Sequence, residues 1–138
     1  MYLLDTNVVS ELRKENRSPN VVKWIGSVPA DALFLSVITI GEIARGIAKQ
    51  RRIGTEKTTS RADVLQNWLE GLLAIHGGRI IPIDVAVATC WGRLCDRFPH
   101  LGVDMLLAAI AVQNGLTVAT RNVQHFRAAG VDAVNPFE

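Results

Sequence analysis

MYLLDTNVVSEL, residues 1–12, is the stretch whose reading decides the fold. Tyr2, Leu3 and Leu4 form a short apolar run that stops at Asp5, and beyond Thr6 and Asn7 the spacing of apolar residues changes from that of a strand to that of a helix. A strand that passes directly into a helix opens a βαβ unit. Taken alone, an Asp before Thr-Asn is an ordinary helix cap or turn former. It gains meaning only if other acids share its position in the fold.

The alternation continues along the chain. ALFLS (32–36), RIIPI (79–83), LTVAT (116–120) and a short VDAV (131–134) have the length and composition of strands. Between them lie helix-period segments. One covers 20–28 after the entry signal Ser18-Pro19, and another covers 37–52 with Ile40, Ile43, Ala44 and Ile47 on one stripe, stopping near Gly54. A third, 59–76, carries Val64, Leu65, Trp68, Leu69, Leu72 and Leu73, and Gly77-Gly78 is expected to end it in the left-handed conformation. Asp84 caps 85–98, Gly115 closes 103–114, and Asn122 starts a short last helix ending at Gly130. The polar stretch 51–59 reads as a mobile connection. Strands alternating with helices require right-handed crossovers, so a single three-layer α/β/α domain over 1–138 with a mostly parallel central sheet is expected.

Composition sets limits on function. With 138 residues, 49% of them hydrophobic, the chain builds a core without disulfides or a structural metal. Fifteen Lys and Arg against thirteen Asp and Glu leave a formal charge of +2, too small to predict a polyanionic partner by itself. Cys90 and Cys95 are five apart and read as reduced, semi-buried thiols. His76, His100 and His125 have no second His or Cys at zinc-ligand spacing, so any metal here is a hard ion on oxygen. The longest apolar run, 105–112, is far shorter than the roughly 18 residues of a membrane span. The start of the chain lacks a signal-peptide pattern, and a cytoplasmic, reducing setting is the expectation.

In open α/β sheets, ligands bind beyond the carboxyl ends of the strands. Asp5 ends the first strand, Glu42 lies about six residues past the second, Asn122 and His125 follow the fourth, and Asp104 opens the helix leading into that fourth strand. Glu42 and Asp104 are lone acids in apolar helix starts, where an unpaired carboxylate costs several kcal/mol or takes up a proton. Each also has an ordinary reading: Asp104 as a cap, Glu42 as a partner of Arg45 one turn on. If the three converge, two carboxylates about 4.5 Å apart repel by about 4 kcal/mol at an effective dielectric near 20. A divalent cation removes that penalty, and the chemistry it brings is phosphoester hydrolysis by a metal-activated water.

LLDTNVVSEL, LSVITIGEIARGI, VDMLLAAIAVQNGLTVATRN and the closing NPF, in this order, resemble the PIN-domain ribonucleases of the VapC and FitB-like toxin group over essentially the whole chain. The resemblance implies a Mg²⁺- or Mn²⁺-dependent endoribonuclease, the toxin of a type II toxin-antitoxin pair. It implies that Asp5, Glu42 and Asp104 are the catalytic acids, Asp5 and Asp104 binding metal directly and Glu42 directly or through water. The hydroxyl of Thr6 and the amide of Asn7 are expected to orient Asp5, with Thr120 and Asn122 as further support. Many relatives carry a fourth acid at the position of Asn122 or three residues later, where this chain has His125. That leaves less charge for a second metal. His125 is read as supporting or packing more than as a catalyst.

Arg45, Lys49 and Arg52 recur on one helical face and, with Arg121, are the candidate contacts to RNA phosphates. A solvated helix end explains the first three equally well. The three tryptophans fit apolar helix faces, so recognition by stacking on an exposed platform is not expected. The resemblance further implies a homodimer and a small antitoxin that wraps apolar grooves. Neither Walker A nor GxGxxG follows the first strand, and Asn7 stands where a haloacid-dehalogenase-like phosphatase needs a second Asp. The alternative is a catalytically weak protein-binding module on the same fold.

Overall fold

A computed structural model describes all of residues 1–138. Its five-stranded sheet has the order β3-β2-β1-β4-β5, and every pairing is parallel. The strands are β1 (Tyr2–Leu4), β2 (Leu33–Ser36), β3 (Ile80–Ile81), β4 (Thr117–Ala119) and β5 (Ala133–Val134). Seven helices cover the sheet: α1 (Thr6–Leu12), α2 (Pro19–Ser27), α3 (Val37–Ile53), α4 (Glu56–His76), α5 (Val85–Arg97), α6 (Val103–Asn114) and α7 (Val123–Ala128). The expected three-layer α/β/α architecture is therefore present.

Strand period 2 divides the core in two. Leu3 and Val118 face the layer that holds α5, α6 and α7, where Leu94, Met105, Ile110 and Phe126 are buried. Leu4, Leu35 and Ala119 face the other layer, with Val8, Val21, Ile43, Ile47 and Leu69 from α1 to α4. Covered on both faces, the strands read as continuous apolar runs instead of alternating ones. Helix α6 is the most deeply seated, with Met105 and Leu107 through Ala111 all buried.

This order creates a switch point. The chain leaves β1 toward β2 and β3, then returns to lay β4 on the other side of β1 before β5. Leu4 pairs with Ala119, so the carboxyl ends of β1 and β4 finish side by side. A crevice opens where two neighbouring connections run apart, and this is where such sheets bind ligands.

Several sequence expectations change. Helix α4 begins at Glu56, because Thr55 and Thr58 cap it reciprocally through side-chain and backbone contacts of 3.0 and 3.1 Å. Only Gly54 and Thr55 separate α3 from α4, so the expected mobile connection over 51–59 is absent. Gly77 is right-handed (φ −41°), and the helix tightens into a 3-10 turn at Gly77–Arg79 instead of stopping in the left-handed form. Gly54 and Gly115 do take that form, at φ +72° and +64°. Trp91 on α5 is exposed, although its spacing fits an apolar helix face as that of the other two tryptophans does. Cys90 and Cys95 are free and half-buried, as expected. No helix is long and apolar enough to cross a membrane.

Candidate active site

Asp5 stands at the centre of the crevice. Its backbone N–H donates to the Ala119 carbonyl at 2.9 Å, which extends the β1–β4 pairing by one bond. As the N-cap of α1 its Oδ1 accepts from the Thr6 amide at 2.7 Å. Oδ2 accepts from the Thr120 hydroxyl at 2.7 Å and from Asn7 Nδ2 at 3.2 Å. Asn7 in turn accepts from the Arg121 amide, and Thr120 Oγ1 accepts from the Asn122 amide at 3.0 Å. The cap reading therefore holds for this residue, and the capping bond leaves Oδ2 to the side chains of Thr120 and Asn7.

One positioning detail differs from expectation. Thr6 holds Asp5 through its backbone, while its hydroxyl lies 2.9 Å from that of buried Thr39 on α3. That contact ties the mouth of β1 to the helix that carries Glu42. Asn122 likewise contributes its backbone N–H, and its side chain forms no hydrogen bond within the chain.

Asp104 lies in the first turn of α6, whose N-cap is Gly102, so it does not cap its helix. Its Oδ2 is 2.6 Å from His125 Nδ1 on α7. A carboxylate only accepts, so Nδ1 carries the hydrogen. The sequence reading did not pair these two residues. The available signal was position, since His125 falls one helical turn past Asn122, beside the carboxyl end of β4. Glu42 on α3 is exposed and pairs with nothing, so the alternative reading of it as a partner of Arg45 does not hold.

The three acids share one electrostatic field. Burial lifts the Asp5 carboxyl above its usual 3.8; the Thr120 hydroxyl and the Thr6 amide pull it down, while repulsion from Asp104 and, more weakly, Glu42 adds to the rise. No Lys or Arg pairs with Asp5, Glu42 or Asp104; the Lys and Arg ion pairs of the chain are Lys14–Glu11 and Arg51–Asp63, and Asp104 instead faces the His125 ring. No three acid, His or Cys side chains stand close enough to form a ligand set as they are placed. Of the two neighbouring acids, Asp104 acts on Asp5 more strongly than Glu42 does.

A family model for the PIN domain matches residues 2–131. The chain belongs to the PIN-domain family. It is 36% identical over 144 residues to the VapC ribonuclease Y4jK of Sinorhizobium fredii, covering 100% of this chain and 99% of that protein. It is 36% identical over 143 residues to the toxin FitB of Neisseria gonorrhoeae, covering 99% of each. The crystal structure of FitAcB from Neisseria gonorrhoeae matches with a TM-score of 0.85 at 35% identity, covering 100% of this chain and 99% of that one.

In this PIN domain the candidate RNA contacts lie apart from one another. Arg45, Lys49 and Arg52 are all exposed on α3 and unpaired. At 100° per residue they continue the stripe that Glu42 begins. Arg121 is separate from them, with its guanidinium 4.0 Å over the Phe137 ring and no salt bridge to the site's acids.

Proposed function

We propose that this chain is a Mg²⁺- or Mn²⁺-dependent endoribonuclease, the toxin of a toxin-antitoxin pair, with Asp5, Glu42 and Asp104 as its catalytic acids. One observation carries the reading: Asp5 is held by three donors at the β1/β4 switch point, yet the charge it shares with Asp104 and Glu42 has no Lys or Arg to offset it. This donor chemistry fits a hard cation on oxygen. The family match and the relatives named a VapC ribonuclease and a toxin support RNA as substrate and an antitoxin as partner.

Asp5 and Asp104 would hold the ion, with Glu42 completing the shell directly or through water. When bound, the ion supplies an activated water and stabilises charge on the phosphoryl oxygens. The chain's own residues set the geometry. Thr120 and Asn7 fix one oxygen of Asp5 and Thr6 the other. His125 fixes one oxygen of Asp104 and leaves the other free. The exposed stripe of Arg45, Lys49 and Arg52 binds the RNA backbone and leads it along α3 toward Glu42.

The second reading, a catalytically weak binding module, is favoured by Asn122, which puts no carboxylate where many relatives have one. An RNA-cleavage assay separates the two. Antitoxin-free protein incubated with a broad panel of RNAs should cut in Mg²⁺ or Mn²⁺ and stop in EDTA, and Asp5→Asn and Asp104→Asn should lose about 10²-fold or more of the rate. A folded wild type that cuts nothing, or cuts equally well in EDTA, supports the binding module instead.

A further inference from the structure

A second cavity, of about 370 Å³, opens beside α7 and shares His125 with the acid site. Only one of its lining residues, Val123, is hydrophobic. Two guanidinium groups, those of Arg121 and Arg127, border it without a salt bridge. Both are held in place: Arg121 lies over Phe137 at 4.0 Å, and Arg127 donates to the Ala133 carbonyl at 3.3 Å. Three amide side chains, Asn122, Gln124 and Asn135, complete the wall. Those of Asn122 and Gln124 form no hydrogen bond within the chain, while Asn135 donates to Glu138, the only acid at the cavity.

Resting on the ribonuclease reading, we infer that this cavity is the subsite for the nucleotide next to the scissile phosphate, and that it gives the enzyme a base preference at that position. The volume suits one nucleotide, since small-ligand pockets begin near about 300 Å³. Fixed, unpaired guanidinium groups suit a backbone phosphate, which they engage in bidentate fashion. Free amides suit the edge of a splayed base, where they donate and accept together. His125 joins the two sites: its Nδ1 faces Asp104 and the same residue lines the cavity, so a nucleotide seated there is one residue away from Asp104. An apolar segment of a protein partner finds no matching surface here. The larger cavity bordered by Leu12, Val64, Leu65 and Trp68 offers one.

The test is a titration of ¹⁵N-labelled, metal-free full chain in EDTA with each of the four ribonucleoside monophosphates and, separately, with inorganic phosphate. The subsite predicts amide shifts concentrated in 121–127 and around Asn135, tightest for one base and weaker for inorganic phosphate. Gln124→Ala should weaken the preferred nucleotide about tenfold. In metal-loaded protein it should flatten the base preference at one position flanking the cut while preferences elsewhere persist. Shifts confined to the α3 stripe, equal binding of all four bases and phosphate, or an unaltered cleavage profile in Gln124→Ala would overturn the inference. An enzyme that cuts RNA with none of these signatures loses the subsite and keeps the nuclease assignment. A chain that binds a nucleotide at 121–127 but cuts no RNA keeps the pocket and loses the activity.

Discussion

Asp5 has donors on both carboxylate oxygens and is still harder to ionise than a free aspartate, because burial outweighs the Thr120 and Thr6 hydrogen bonds and its acidic neighbours add to the rise. A carboxyl whose folded pKa lies above 3.8 binds its proton more tightly folded than unfolded, so it lowers stability as pH rises between 3.8 and the raised value. In EDTA the melting temperature of the wild type should therefore fall relative to Asp5→Asn as pH is raised through that window; a wild type that gains on the variant contradicts the account. His125 makes a second prediction. His125→Ala frees Asp104 and should weaken Mn²⁺ binding in calorimetry about tenfold, while His125→Asn, which keeps a donor near the Nδ1 position, should recover most of it. Equal losses in both variants would mean that His125 only packs. Asp5, Glu42 and Asp104 are visible as candidates in the sequence because each is a lone acid at an apolar strand end or helix start. Their partners are not. Thr120 lies 115 residues from Asp5 and reaches it only through the β1–β4 pairing.

At the scale of the element, apolar periodicity reveals a helix where one face is buried and fails where all faces meet water. Helix α4 shows both: residues from Leu65 to Leu72 alternate between core and solvent, while its first turn is almost wholly exposed, and 51–59 consequently looks like a loop. RIIPI reduces to Ile80–Ile81 because Pro82 has no N–H to continue the ladder. Glycine is ambiguous by its nature. Gly115 ends α6 at φ +64° whereas Gly77 stays right-handed, and nothing in the two local sequences separates them. A Cβ at Gly115 meets no atom within 4 Å, so the cost of Gly115→Ala is the strain of an L-residue held at φ +64°, and the variant should be destabilised by about 1 kcal/mol in urea unfolding. Gly92 sits inside α5 with equally open space around a Cβ, and Gly92→Ala should stabilise by about 0.5–1 kcal/mol. Effects of the same sign at both sites would contradict the assigned backbone geometry.

Across the whole molecule, a formal charge of +2 conceals a division of charge that matters more than the total. Asp5 stands where β1 and β4 end together and feels the charge of Asp104 and Glu42, while unpaired cations lie along α3 and beside α7. Topology produces the first of these groupings: strand order β3-β2-β1-β4-β5 brings residues 5 and 104 to one crevice although about a hundred positions separate them. The fold class is legible from the alternation of strand and helix runs, while the strand order needs the tertiary packing that no local pattern encodes. The central claim is that the acids of this crevice, which have no Lys or Arg partner, exist to hold a divalent cation. Its most direct test is anomalous diffraction from crystals grown with Mn²⁺. The account predicts a manganese peak between Asp5 and Asp104 at the mouth of β1 and β4, absent in Asp5→Asn. A fully occupied peak elsewhere, or none in the crevice at saturating Mn²⁺, would contradict it.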